Sequence, residues 1–507
     1  MSSPLETAPH ADKLKRVVIE PVTRVEGHGK VTLLLDDDNH VRQARLHIVE
    51  FRGFEKFIQG RPYWELPVLV QRLCGICPVS HHLAAAKACD QIIGVEQLTS
   101  TADKVRRLMH YGQVLQSHAL HFFHLSSPDL LFGYDDAVAH RNIVGVIQDH
   151  PDIARKGVLL RKYGQEVIRI TSGKRIHGTG AIPGGVNKAV SASERDELRA
   201  DIDQIVQWAV DAVALMKRMF MGDLNYHLSF GAIPANSLGM IGADGALELY
   251  HGGLRACSAN GDTLFDQVDY RGYEGLLQEQ IKPWSYMKFP FIAELGPDAG
   301  WYRVGPLARI NNCDYIATPL AERERREFAD VGGGKPLQGA LATHWARLIE
   351  LLYCAEAIAE LLTDPDIGGS DLVLDGEHHN SGIGVLEAPR GTLFHDYRID
   401  PDGLVEKANL IVSTTNNNQA MNESIRQVAA TYLDGQELTE PLLNRIEIAI
   451  RAYDPCLSCA THALGQMPLE IDLVDHDGRL RDRLRKRADG WVERDLPDDG
   501  AAPARCG

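Results

Sequence analysis

The hydrophobic pattern changes period once, early in the chain. Between residues 17 and 60, apolar positions alternate with polar ones or bunch into short runs, which predicts strands. Val31–Leu35 and Val41–Val49 flank the polar stretch Asp36-Asp-Asp-Asn-His40, and two such runs around an Asp/Asn turn predict a hairpin. Further on, the spacing becomes helical. A long segment opens at Ser100 and runs to about Leu125, with Ser100 or Thr101 as its N-cap. Glu194–Met221 and Leu337–Leu362 follow, and in the second Leu337, Leu341, Leu348, Leu352 and Ala355 fall near one face. Asn417–Leu433 and Glu440–Ala452 add further helix. Long helices with little strand between them predict a mainly α fold with a long-helix bundle core. A smaller α/β part would come from the N-terminal β-hairpin region and residues 380–415. There is no internal repeat. Gly332-Gly-Gly-Gly-Lys335 lacks P-loop spacing and the following Ser/Thr, so it reads as a loop.

Composition narrows the functional classes. A chain of 507 residues can bury a large core. Its net charge of −16 disfavours a nucleic-acid partner. No apolar run reaches the length of a membrane span, and residues 1–10 show no charged-then-apolar leader, so a cytoplasmic location is expected. Nine cysteines, an odd number without regular spacing, argue against a disulfide scaffold. Cys89, Cys257, Cys313 and Cys354 are isolated and read as small buried hydrophobes. The basic run Arg479–Arg487 reads as a solvated charged helix, and the Asp/Pro/Ala-rich end of the chain as disordered or weakly helical.

Four other cysteines fall in two pairs near opposite ends of the chain. The first pair reads Arg72-Leu-Cys74-Gly-Ile-Cys77-Pro-Val-Ser-His81 and the second Asp454-Pro-Cys456-Leu-Ser-Cys459-Ala-Thr-His462. Four gathered thiolates make a soft site that selects a transition metal over magnesium or calcium. The plain alternative is a structural zinc site, although such pairs usually sit within one small module.

Together the two motifs resemble the signatures of the large subunit of nickel–iron hydrogenases. The resemblance runs from Val17 to about Leu473. It includes Glu20-Pro-Val-Thr-Arg-Val-Glu26-Gly-His28, Arg52-Gly-Phe-Glu55 and Glu387-Ala-Pro389-Arg390-Gly391. Val49–Phe57, Trp284–Pro290 and Cys459–Pro468 are most similar to the soluble, NAD(P)-linked bidirectional branch. The resemblance implies reversible oxidation of H2 at a nickel–iron centre. Cys74 and Cys456 would bind nickel terminally, and Cys77 and Cys459 would bridge nickel and iron. The iron would carry carbon monoxide and two cyanides, with Pro389 and Arg390 beside it and Thr414 donating to the second cyanide. Glu26 would relay protons, and Cys456 or Arg390 would act as the nearby base. Glu55, the Leu410 carbonyl and His462 would hold a remote magnesium or iron ion, and His81 would donate a hydrogen bond to a sulfur. Ser117 stands where many relatives have an Asp, and Ser413 and Asn416 replace the more usual Pro and Trp.

No further cysteine set has iron–sulfur spacing, and no G-x-G-x-x-G is present for a nicotinamide cofactor. An iron–sulfur small subunit and a flavin/NAD(P) diaphorase module are therefore expected partners. Residues 1–462 would form one catalytic unit. Residues 463–507 would be a C-terminal extension, removed after His462 by a maturation endopeptidase once nickel-insertion factors have acted. Rival readings are another cytoplasmic branch (sulfhydrogenase-like or deazaflavin-linked) and a hydrogen sensor. The related quinone-site subunits of respiratory complex I lack the four cysteines.

Overall fold

A computed structural model describes residue 8, residues 10–461, and the segments 469–474, 480–486 and 492–495. A three-stranded antiparallel sheet opens the chain: β1 (Lys15–Ile19), β2 (Gly29–Leu35) and β3 (Val41–Ile48), with β2 in the centre. The expected hairpin is β2–β3, pairing Val31 with Leu46 and Leu33 with Ala44 across the Asp/Asn turn. In that turn Asp36 Oδ1 accepts from the backbone N–H of Asp38 and His40, the Asx device that favours Asp there.

The helices that carry the core and the site include α1 (Pro78–Ile92), α2 (Ser100–Leu120), α3 (Pro151–Ser172), α4 (Ile202–Gly222), α5 (Pro306–Asn312), α6 (Ala342–Thr363), α7 (Asn418–Val428) and α8 (Glu440–Ala452). α6 packs against both α2 and α4, and α3 packs on α2. α6 is apolar nearly all round and buried along most of its length, which suits the centre of a bundle. α1 starts with Pro78 at its first turn and continues through an Ala-rich run, a strong helix-forming combination. A second three-stranded antiparallel sheet, β4 (Ser381–Ala388), β5 (Gly391–Ile399) and β6 (Val405–Ile411), lies against α1. The approach is close: a Cβ on Gly382 or Gly384 would strike the Ala88 or Ala84 carbonyl. This is the α/β part expected over residues 380–415.

Several predicted boundaries shift. The N-cap of α2 is Thr99, whose hydroxyl accepts from Ala102 N–H at 3.1 Å, and the helix passes into a π-turn over His121–Ser126. The single helix expected over Glu194–Met221 is two helices, Ala192–Arg199 and Ile202–Gly222. They part at Asp201, a residue type that competes with helices for backbone bonds. Residues 337–341 precede α6 rather than belonging to it, because Gly339 passes so close to Leu228 that a Cβ would lie 2.6 Å from its carbonyl oxygen. A four-stranded sheet within residues 236–303, with strands Asn236–Ile241, Gly253–Cys257, Thr263–Val268 and Tyr302–Arg303, lies outside every sequence expectation.

The tail corrects another expectation. Leu469–Val474, Leu480–Lys486 and Val492–Asp495 form a three-stranded antiparallel meander, in place of the helix expected over Arg479–Arg487, while the Asp/Pro/Ala-rich end lies outside the described residues. Apolar and charged residues alternate through Leu469–Leu473, the period of a strand. The register sets Glu470 opposite Arg485 and Asp472 opposite Arg483.

Candidate metal centre

One buried cluster runs from the N-terminal sheet to the end of the body and contains all four paired cysteines. Cys74 follows a 3-10 turn over Val70–Leu73, and Cys77 immediately precedes α1. Within that turn Cys74 Sγ accepts from the N–H of Ile76 (3.2 Å) and of Cys77 (3.1 Å), which points the sulfur inward. α8 delivers the second pair. Asp454 turns the chain at φ +54°, a conformation a non-glycine residue adopts only when its surroundings enforce it. Leu457 N–H then pairs with the Glu26 carbonyl at 3.0 Å, and Cys456 N–H donates to Thr414 Oγ1 at 2.9 Å.

The four ligand sulfurs all lie within 4.8 Å of one another. Cys74 and Cys456 Sγ are 3.3 Å apart, and those of Cys456 and Cys459 are in bonding contact. No residue of the four is more than 5% exposed. Burial disfavours the Cys74 thiolate, but hydrogen bonds from Cys77 and the Arg390 charge together outweigh it and lower the Cys74 pKa. For Cys77 the side-chain bond to Cys74 and then burial push the thiol well up.

Beside the sulfurs is a small cavity lined by Cys77, Ser80, His81, Pro389, Arg390, Thr414 and Cys456, among others. Arg390 donates from Nε to the Asp454 carbonyl at 2.5 Å and from Nη2 to Asp454 Oδ1 at 3.0 Å. Burial works against its charge, but Asp454, Cys77 and Cys74 outweigh burial and hold its pKa above the ordinary guanidinium value. Arg390 Nη1, Ser80 Oγ and Asp454 Oδ2 are buried and have no hydrogen-bond partner among the described residues. Leaving such a group unpaired costs about 1–3 kcal/mol, so two cavity-lining donors beside four sulfurs fit a metal group that carries hydrogen-bond acceptors. Thr414 Oγ1 already accepts from Cys456, which leaves its hydroxyl proton to donate.

Glu26 closes the site on the other side. Its Oε2 meets Cys456 Sγ at 2.9 Å and Ser458 N–H at 3.2 Å, and its Oε1 accepts from Ser458 Oγ. Gly27 permits this contact. It adopts φ +82°, and a Cβ there would lie 2.6 Å from Ser458 N.

A family profile described as nickel-dependent hydrogenase matches residues 52–135 and 265–462, and one described as HoxL-like matches residues 16–51. The beta subunit of the NAD-reducing hydrogenase HoxS from Cupriavidus necator is 48% identical over 483 residues, covering 92% of this chain and 99% of that protein. An F420-non-reducing hydrogenase subunit from Methanothermobacter thermautotrophicus is 41% identical over 477 residues, covering 92% and 100%. The crystal structure of an NAD+-reducing [NiFe]-hydrogenase in the H2-reduced state superposes with a TM-score of 0.87 at 54% identity, covering 88% of this chain and 99% of that one. The chain belongs to the nickel-dependent hydrogenase family.

The four cysteines fit the nickel site of a hydrogenase. The remaining expected residues fall into place unevenly. Glu55 is buried and accepts from Leu410 N–H at 2.9 Å, with Lys288 Nζ 3.6 Å away. Burial raises its pKa, while Lys288 and the Leu410 N–H pull it down. Leu410 thus meets Glu55 through its N–H. His462 lies outside the described residues. His81 departs from its expected role: its Nδ1 pairs with His395 Nε2 at 3.1 Å, and it makes no bond to a sulfur among the described residues. Burial and then Arg390 lower its pKa to about 3, so it sits neutral. Ser117 is buried on α2, and its hydroxyl has no partner among the described residues.

Sequence reasoning missed the residues that act on the backbone of the hydrogenase site. Gln113 and Gln116 on α2 both donate to the Ile76 carbonyl at 2.9 Å and hold the first cysteine turn from above. His177 Nε2 approaches the Cys74 carbonyl at 3.3 Å. Two glutamines one turn apart on a buried helix face were the available signal.

Proposed function

We propose that this chain is the catalytic large subunit of an NAD-reducing hydrogenase, catalysing H2 ⇌ 2H+ + 2e−. The observation that carries this reading is the buried four-sulfur cluster, bounded by Glu26 on one side and Arg390 on the other. The NAD-reducing relatives at 48% and 54% identity, against 41% for the F420-non-reducing one, support the branch. Cys74, Cys77, Cys456 and Cys459 would hold the nickel–iron pair. Arg390 and Thr414 would donate to cyanides on the iron, which would also carry carbon monoxide. Glu55, Leu410 and His462 would hold the remote magnesium or iron ion. When bound, the bimetallic centre supplies the Lewis acidity that polarises H2, a molecule without charge or dipole.

The chain's own residues then move the proton. Arg390 is held as a cation by Asp454, so it orients rather than accepts. With Cys456 and Cys459 reduced to thiolates, Cys456 Sγ would be the base, and Glu26 Oε2, 2.9 Å from it, would take the proton onward. Ser458 fixes both Glu26 oxygens, so the carboxyl is aimed before a proton arrives. Electrons need a partner, because among the described residues no second metal-binding group of His, Cys, Asp or Glu is present. Gly75, between the first two cysteines, is exposed. The adjoining segment, tied in by Arg52 to the Leu73 carbonyl, exposes Val49, Phe51 and Phe57. That face suits an iron–sulfur small subunit, which would pass electrons to a flavin/NAD(P) diaphorase module. No described helix is long and apolar enough to cross a membrane, and the reading places the complex in the cytoplasm.

The test is elemental and kinetic analysis of the purified complex. One nickel per complex, with iron in excess because the iron–sulfur partner adds its own, and H2-dependent NAD+ reduction are expected. In Cys77→Ser both metals and activity should be lost, because a hydroxyl is a poor bridge between soft metals. Zinc without nickel would return the site to a structural one, and H2 uptake without NAD+ reduction would move the chain to another branch.

A further inference from the structure

Arg309 is fully buried on α5, and the geometry of its guanidinium is saturated. Nε donates to Glu350 Oε1 at 2.6 Å, and Nη2 donates to Glu350 Oε2 at 2.6 Å and to the Pro389 carbonyl at 3.3 Å. Nη1 donates to Glu387 Oε2 at 2.7 Å and to the Ala388 carbonyl at 3.0 Å. A guanidinium has five N–H donors, and all five are used. Three of its four acceptor residues are consecutive, Glu387, Ala388 and Pro389, and the next residue is Arg390. One side chain therefore grips the main chain that presents Pro389 and Arg390 to the cavity beside the sulfurs. The start of α5 presses on the same strand end: Gly305 adopts φ +93°, and a Cβ there would lie 2.9 Å from the Arg390 carbonyl. The far end of the grip is anchored by Glu350, on the central helix α6.

We propose that Arg309 is the positioning residue for Pro389 and Arg390, fixing where the Arg390 guanidinium meets the metal group. It touches neither a sulfur nor the cavity, so it acts through the backbone. Lysine cannot substitute, since a compact ammonium cannot hold two carboxylates and two successive carbonyls in one plane. A buried ion network that served stability alone would be replaceable with little effect on the chemistry. A positioning network is not, because a displacement of about 1 Å at a reacting group can cost on the order of a hundredfold in rate.

This inference rests on the hydrogenase reading above, and the test separates the two. In the intact complex, Arg309→Lys and Glu387→Gln are compared with the unaltered protein for nickel and iron content, H2 turnover and the infrared bands of cyanide on the iron. Arg309→Lys that retains its metals should lose ten- to a hundredfold in kcat with little change in KM, and its cyanide bands should shift as Arg390 moves. Glu387→Gln, whose amide nitrogen must face either the Arg309 Nη1 donor or the Met240 N–H, should lose rate and shift the bands in the same sense. Metal-loaded Arg309→Lys with normal kcat and unshifted bands overturns the proposal. If Arg309→Lys fails to load metal, Thr392→Val decides. It removes only the 2.7 Å bond from Thr392 Oγ1 to Glu387 Oε1, and unshifted bands there overturn the proposal equally. Absence of nickel or of cyanide bands in the unaltered protein would instead sink the hydrogenase reading, whatever Arg309 does.

Discussion

Glu26→Gln separates the fold of the site from its proton traffic. The amide is nearly isosteric with the carboxyl, but it cannot titrate. In the structure the carboxyl meets Ser458 N–H at 3.2 Å, Cys456 Sγ at 2.9 Å and the Ser458 hydroxyl. The amide oxygen can keep the Ser458 N–H bond, and the amide nitrogen can donate to the hydroxyl. The backbone pairing of Leu457 N–H with the Glu26 carbonyl does not involve the side chain. Exchanging a bond to a charged acceptor, worth about 1.5–3 kcal/mol, for a neutral one of about 1 kcal/mol should cost roughly 0.5–2 kcal/mol of stability. The chemistry should suffer more. A positioned proton-transfer group contributes on the order of 10²–10⁴ in rate, or about 3–5 kcal/mol of barrier. The assay pairs metal content and thermal unfolding of the variant complex with hydrogen–deuterium exchange and H2 uptake. The expected result is full nickel, a small drop in Tm, and both activities reduced at least a hundredfold. A metal-replete variant with undiminished exchange would show that protons leave by another route.

Three further outcomes follow from the same geometry. Gly27→Ala should destabilise the closed site by about 2–5 kcal/mol, adding a left-handed backbone cost of about 1–2 to an overpacking cost of about 1–3. Low nickel content in a folded chain is the expected readout, and normal metal loading would contradict it. Glu55→Gln should impair metal loading and assembly more than turnover per nickel, because its role is to anchor rather than to react; normal maturation with lost turnover would reverse that assignment. Mass spectrometry of the active large subunit should show a chain ending at His462, with the uncut form accumulating in nickel-starved cells, and an active enzyme still carrying Cys506 would end the processing argument.

Legibility in the sequence followed the range of the interaction. The β2–β3 hairpin and α8 were readable because turn chemistry and helical period are local. The cysteine pairs were readable because three-residue spacing is itself a geometric statement about two sulfurs. Arg309 was not, because its carboxylate partners Glu350 and Glu387 lie 41 and 78 residues away, and Gln113 and Gln116 were not, because their partner is the Ile76 backbone carbonyl, 37 and 40 residues away. Carbonyls leave no trace in a list of side chains. The parting at Asp201 was hidden because apolar spacing continues across it. The Arg479–Arg487 run was misread for a different reason: its apolar residues, Leu480 and Leu484, stand four apart as on a helix, and only pairing with Leu469–Val474 makes it a strand.

The closure of the last loop onto the first has a consequence for synthesis. Cys74 and Cys456 meet across 382 residues, and Glu26 and Cys456 across 430. At about 5–20 residues per second, a ribosome finishes Cys456 roughly 20–80 s after Cys74 has been made. For that interval the nascent chain carries half a thiolate site, able to capture a competing ion such as zinc or copper, which bind sulfur avidly. Stalled chains that end before Cys456 should accordingly lack the nickel–iron pair, and guarding those two thiols becomes a task of the translation period rather than of the finished enzyme.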